Sequence, residues 1–255
     1  MDYTPTVNIN SLKSLYITIL FDETQLATAT GFLINSNRDY YLITNRNVVT
    51  GRNNETGECL NSMGAIPNKI KVWIPYKTEV GVSWNNKEIE LYDDNNEKRW
   101  LEHPNYMEKV DVVAIKLDTY NQNFFCYNLV NDFRPIVTEN LYIVGYPFGF
   151  IVNRGNGKYA IWTTGIVASD PDLNLNINGE QLPAFLVDAK TRQGQSGSPV
   201  IYYSDNGMIR QNNGFAIYGS PITSEIGIYS GRINNESDLG YVWKWSLIKE
   251  IIENN

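Results

Sequence analysis

At 255 residues, with 42% hydrophobic and 19% charged side chains, the chain has the balance of a globular protein with ample core. Its net charge of −7, from 21 basic and 28 acidic residues, argues against general binding to nucleic acid or anionic membranes, since both need a positive face. One histidine and two cysteines, Cys59 and Cys126, can build neither a zinc site nor a disulfide framework, so no metal is expected and both thiols are expected free and mostly buried.

Along the chain, Met1 to Asn10 shows no basic region followed by an apolar run, so no signal peptide is expected and the cytoplasm is the expected location. Short runs rich in β-branched and aromatic residues then follow one another, each read as a strand: Leu15–Phe21, Tyr40–Thr44, Ile70–Ile74 and Val112–Ile115. The series continues with Leu141–Val144, Ala160–Trp162, Phe185–Val187, Val200–Tyr203, Phe215–Tyr218 and Ile226–Tyr229. Polar Asn, Asp and Gly clusters punctuate them, as in a closed β architecture. The loops at 53–68, 93–97 and 170–178 are polar enough to be mobile. The longest apolar stretch, Leu141 to Val152, is broken by glycine and proline and is too short to span a bilayer. Only Trp245 to Ile252 has helical spacing, with Leu247, Ile248, Ile251 and Ile252 on one face. The six tryptophans read as core or barrel-edge packing.

The most informative segment is Gly194-Gln195-Ser196-Gly197-Ser198-Pro199. A serine between glycines suits a tight turn that presents its hydroxyl, with the N–H groups of Gly194 and Ser196 converging on one point where an oxyanion would form. Such a turn alone is weak evidence. It is strengthened by Asp111 in Lys109-Val110-Asp111-Val112-Val113-Ala114-Ile115, and by Thr44-Asn45-Arg46-Asn47-Val48-Val49 before it.

With these segments in this order, the chain resembles the trypsin-like (chymotrypsin-fold) serine peptidases, in particular the bacterial branch with the HtrA and glutamyl-endopeptidase types. Ala29-Thr30-Gly31-Phe32 is similar to the signature strand before the family's histidine. Asp188-Ala189 followed by Gly194 to Pro199 is similar to the family's nucleophile segment. The resemblance implies an all-β fold of two six-stranded antiparallel barrels and a short C-terminal helix, divided at residues 1–125 and 126–255. It also implies hydrolysis of peptide bonds in peptides or proteins by acyl transfer, with no cofactor and with no nucleic-acid or membrane partner. A regulatory protein partner stays open. The connecting segment would be the pattern-poor stretch holding Asn121, Asn123, Asn128, Asn131 and Asp132.

The departure matters as much as the match. Where the family carries its general base, this chain has Asn47. A serine hydroxyl is a poor nucleophile without a neighbouring base, and a carboxamide has no basic nitrogen. Losing the base of such a triad costs about 10⁶ in turnover, which is roughly 8 kcal/mol. The only histidine, His103, sits on the approach to Asp111, where the family has a surface structural feature, and is read as a loop residue without chemistry. Two explanations for Asn47 stay open: a natural pseudopeptidase that binds peptides or proteins, or a recent or deliberate substitution in an enzyme. The intact Asp111, Ser196 and flanking glycines favour the second.

By the same resemblance, the pocket for the residue before the scissile bond is built from Lys190, Thr191 and Arg192 and from a later strand. There Tyr229, Ser230 and Gly231 are similar to the part that pairs with the substrate backbone. Lys190 or Arg232 would complement an acidic side chain, and the preference of the pocket stays open. Gln195 would either shape the oxyanion turn or face solvent. Gly145-Tyr146-Pro147-Phe148-Gly149 reads as a structural turn.

Overall fold

A computed structural model of the chain describes residues 6–118, 122–130, 133–211, 214–234 and 236–254; Asn121, Asn131 and Asp132 of the expected connecting segment, and Met1 to Pro5, lie outside them. A short helix α1 (Asn10–Lys13) leads into β1 (Ser14–Phe21), β2 (Thr24–Ser36) and β3 (Asp39–Thr44), which run up and down with antiparallel pairing. Helix α2 (Arg46–Thr50) follows, then the long hairpin β4 (Lys69–Thr78) and β5 (Gly81–Glu90), and then β6 (Val113–Leu117), β7 (Asn123–Phe124) and β8 (Cys126–Tyr127). Their hydrogen-bonded order is β5-β4-β1-β2-β3-β6, with β7 on β4 and β8 on β2.

The two ends of this sheet, β5 and β6, do not pair directly among the described residues. The irregular segment around Lys98–Leu101 bridges them: Arg99 N–H donates to the Leu91 carbonyl at 2.9 Å, and Leu101 and Ala114 exchange N–H···O bonds of 2.8 and 3.1 Å. The first half thus closes through a loop rather than through a strand ladder.

The second half is a closed six-stranded barrel. Its strands are β9 (Asn140–Gly145), β12 (Ile161–Val167), β15 (Ala184–Ala189), β16 (Pro199–Ser204), β19 (Ile222–Arg232) and β20 (Leu239–Lys244), in the order β12-β15-β20-β19-β16-β9. Small hairpins project between them: β10 (Val152–Arg154) with β11 (Gly157–Tyr159), β13 (Leu175–Ile177) with β14 (Glu180–Leu182), and β17 (Met208–Gln211) with β18 (Gly214–Ile217). Helix α3 (Ser246–Glu253) ends the chain and buries Leu247, Ile248, Ile251 and Ile252, as its spacing requires. Just past residue 125, β8 at Cys126–Tyr127 pairs in parallel with Leu33 and Ile34 of β2.

Strand alternation sorts side chains into three clusters. Leu33 and Leu42 turn into the first core with Ile17 and Val72, while Leu141, Ile143 and Val187 fill the second barrel. The opposite faces of the same strands meet: Phe32, Ile34 and Ile43 join Val144, Ile201, Ile228 and Trp243, with α3 packed on them. This shared cluster fixes how the halves dock, and the candidate site lies at their junction. Trp100, Trp243 and Trp245 are buried. Cys59 and Cys126 are free and half-buried, and burial pushes the Cys126 thiol up to about 12.

Candidate active site

Asp111 is delivered just ahead of β6 and is 1% exposed. β3 ends at Thr44 and the chain turns at once into α2, so that the N–H of Asn47 donates to Asp111 Oδ1 at 2.8 Å and its amide Nδ2 donates to Oδ2 at 3.1 Å. Asn45, fully buried, secures the same junction by donating from Nδ2 to the Asp111 carbonyl at 2.6 Å. Arg46 is tied outward to Glu102 at 3.0 Å. Burial alone would raise the Glu102 carboxyl, but hydrogen bonds from Lys98 and Trp100 and the Arg46 charge pull it below its usual value.

From the second half, the Ser230 hydroxyl donates to Asp111 Oδ2. It can do so because β19 bulges between Tyr229 and Gly231, re-aiming Ser230 out of the ladder with β20. Burial raises the Asp111 carboxyl to about 6 despite the hydrogen bonds from Ser230 and Asn47 and the nearby Arg46 charge, all of which favour its ionised form.

Ser196 stands on the turn before β16. Its Oγ donates to the Ser230 carbonyl at 2.9 Å, and Asn47 makes no hydrogen bond to it. The turn is held by both halves. Thr30 N–H donates to the Ser196 carbonyl at 2.9 Å, the Thr30 hydroxyl donates to the Gly194 carbonyl at 2.9 Å, and Thr44 in turn holds the Thr30 carbonyl at 2.8 Å. Gly197, at φ 84°, has no room for a side chain, since a Cβ there would collide with the Thr30 carbonyl oxygen.

The turn Pro147–Gly149, expected to be structural, braces the segment that leads to Ser196: Phe148 N–H donates to the Gln193 carbonyl at 2.6 Å. In a planar trans peptide the N–H points opposite to the C=O, so the Gly194 N–H faces away from Phe148. Neither that N–H nor that of Ser196 donates to another group among the described residues. Two unengaged main-chain donors beside a serine hydroxyl are what stabilising an oxyanion requires.

Gln195 does not face solvent. It is fully buried; its amide donates to Thr163 Oγ1 at 2.9 Å and its oxygen accepts the Arg192 N–H at 2.8 Å, so it shapes the turn from inside. Lys190 and Arg192 are exposed, whereas Thr191 is buried with its hydroxyl on that of Tyr229. Tyr229 cannot pair with a substrate backbone as expected, because its N–H and carbonyl are already bonded to Ser198 and Gly197, each at 2.9 Å. Ser230 is out of the ladder at the bulge, its carbonyl on the Ser196 hydroxyl, and Gly231 returns to the ladder opposite Tyr241. His103 is not a surface residue either: it is 1% exposed, its Nδ1 accepts the N–H groups of Asn105 and Tyr106, both at 3.2 Å, and Nε2 lies 2.9 Å from Glu250 of α3. It stays bound up there, away from Ser196. The residues that sequence reasoning missed are Thr30 and Thr44; Thr30 was in view as part of Ala29-Thr30-Gly31-Phe32, but nothing in the pattern linked it to Ser196.

The sequence profile of the trypsin-like peptidase domain matches residues 29–209, a range that holds Asn47, Asp111 and Ser196. The chain belongs to the trypsin-like peptidase family. By family it is a serine endopeptidase, acting on peptides or proteins. Among solved structures, the chain is similar to Deg5 at 17% identity and a TM-score of 0.52, over 95% of this chain and 87% of that one. It is also similar to the serine endoprotease from Yersinia pestis, at 17% identity and 0.52, over 99% of this chain and 67% of that one. A third likeness is to the active form of the Rv3671c protease from M. tuberculosis, at 17% identity and 0.51, over 96% and 81% of the two chains. At that identity the likeness is one of fold. No curated protein matches the sequence. Among the described residues, no helix is long and apolar enough to cross a membrane.

Proposed function

We propose that this peptidase holds a complete acyl-transfer site except for its general base, so that it binds peptides in the cleft and turns them over only at a small residual rate. The observation that carries the reading is the position of Asn47. Its amide is spent on Asp111, and Ser196, left without a base, donates instead to the Ser230 carbonyl.

With histidine at position 47, the imidazole would take the place of the amide, donating one N–H to Asp111 and presenting its other nitrogen to Ser196. Ser196 would then attack the scissile carbonyl while the imidazole takes its proton and hands it to the leaving amine. The N–H groups of Gly194 and Ser196 would hold the oxyanion, and water would release the acyl group by the same steps in reverse order. Asp111 orients the base and balances its charge. With asparagine in place, residual catalysis of about 10³–10⁴ over water is all that the oxyanion donors and binding supply.

The test is labelling of Ser196 by a fluorophosphonate probe in the chain as it stands and in Asn47→His. Strong labelling only in Asn47→His is expected. Absence of labelling in both, with both folded, overturns the reading and leaves a peptide- or protein-binding module that has drifted from catalysis.

A further inference from the structure

In the peptidase reading, the pocket for the substrate residue before the scissile bond would be bounded by the 190–194 segment and by the end of β19, and the register sets Gly240 of β20 against Arg232 of that strand. The space between these walls is occupied from within. The Tyr229 side chain, 2% exposed, reaches from β19 to the first wall, where its hydroxyl is hydrogen-bonded to that of Thr191. Its ring lies against β20 at Gly240, where even a Cβ would come within 2.5 Å of Cε2 and 2.8 Å of the phenol oxygen. Glycine at 240 is therefore what lets a ring of this size fit. The rest of the ring packs into the barrel core with residues that include Ala189 and Val242.

The floor so formed is two neutral hydroxyls, with Arg232, Arg192 and Asp238 near enough for their charges to act on the phenol. Burial pushes the Tyr229 phenol up to about 12, so it stays neutral. The Thr191 and Tyr229 hydroxyls are hydrogen-bonded to each other, Lys190 is exposed, and Arg192 donates from a guanidinium nitrogen to the Thr191 carbonyl at 2.7 Å. A long or aromatic substrate side chain would have to drive the phenol out, break its bond to Thr191 and open the core around it.

We propose that Tyr229 plugs the side-chain pocket of this cleft, and that the site selects peptides whose residue before the scissile bond is glycine, alanine or serine. The proposal rests on the peptidase reading above and adds the substrate class to it.

The experiment uses Asn47→His and peptides that differ only at that residue, set to Gly, Ala, Ser, Leu, Phe, Glu or Lys, with kcat/KM as readout. The expected result is a preference for the three small residues of about 10²-fold or more. Tyr229→Val, which removes the plug, should raise the Leu and Phe rates by at least about 10-fold relative to Ala. Tyr229→Phe, which keeps the ring and loses the hydroxyl, should retain the small-residue preference; should Tyr229→Val not fold, this variant and the parent carry the test. Cleavage after Phe, Lys or Glu as fast as after Ala in the parent overturns the proposal, and an unchanged profile in a folded Tyr229→Val overturns it too. Absence of turnover on every peptide, together with absence of probe on Ser196, marks failure of the peptidase reading itself, and the plug falls with it.

Discussion

The main-chain N–H of Phe148 donates to the Gln193 carbonyl at 2.6 Å, and this bond decides which way the Gly194 N–H faces. Phe148 itself has a left-handed φ of 55°. The Gly194–Gly197 turn of the second barrel is thus braced by a neighbouring turn and, through Thr30, by a strand of the first half.

Gly194 should tolerate no side chain. It has φ 94°, and a Cβ would run into the Tyr146 carbonyl oxygen, with Gly149 N and Phe148 N at 3.2 and 3.3 Å. Gly194→Ala, made in Asn47→His, should rotate the peptide away from the hole and lower kcat by about 10²–10³, the cost of one oxyanion donor. KM should change far less. Steady-state kinetics on an alanine substrate check this, with circular dichroism to confirm the fold.

Asp111 should give the protein a stability contribution that falls as pH rises. Its folded carboxyl is raised to about 6, so the folded chain binds the proton more tightly than the unfolded chain does. The contribution is full below the unfolded value near about 4 and is lost as pH climbs through about 6. Two units correspond to about 3 kcal/mol. Glu102, lowered in the fold, acts in the opposite sense and would mask part of the trend. Urea unfolding of the chain and of Asp111→Asn between pH 4 and 7 isolates it: the difference in stability should shift toward the variant as pH rises across that window. A difference that stays flat would mean the carboxyl is not held up by burial.

Local pattern made the regular elements legible, and long-range register hid the support of the site. Leu141–Val144 and Phe185–Val187 read as strands because they are short runs rich in β-branched and aromatic residues, and α3 read as a helix because four aliphatic residues share one face. The contact between Ser230 and Asp111 depends on a bulge in β19, and nothing in the spacing of Ile228-Tyr229-Ser230-Gly231 marks one. Gln195, between Gly194 and Ser196, reads equally as a turn-shaping or a solvent-facing amide; Thr163 on a distant strand and the Arg192 N–H are what draw it inside. The Lys98–Leu101 segment closes the first sheet with main-chain bonds, which polar side chains do not advertise. Asn47 was visible as a motif position, but its two bonds to Asp111 are visible only in three dimensions.

His103 should matter for stability and leave Ser196 untouched. Because Nδ1 accepts two main-chain N–H groups, the ring proton sits on Nε2 and faces Glu250, so the imidazole clamps the approach to Asp111 onto α3. His103→Ala removes the acceptor of those two partly buried N–H groups and the contact with Glu250, and should cost about 1–2 kcal/mol in urea unfolding for the hydrogen bonds lost. In Asn47→His the same change should leave probe labelling of Ser196 within about 2-fold at temperatures where both remain folded, the scale of an effect too small to be catalytic. A loss as large as that of a missing base would show that His103 reaches the nucleophile.

Cys126 should be close to inert. Burial holds its thiol at about 12 even though Lys13 and Lys77 stand near enough to favour the thiolate. Only the thiolate attacks an alkylating reagent, so at neutral pH its reactive fraction is about 10³-fold below that of a free cysteine. Iodoacetamide on the native protein, read by peptide mass mapping, should leave Cys126 unmodified over a period in which urea-unfolded chain is alkylated completely. Cys59 and Cys126 are both free thiols, so the unfolded chain should take up label at each without prior reduction. Rapid native labelling at Cys126 would mean that the strand pair of β8 with β2 opens readily, and with it the edge that carries the chain from the first half to the second.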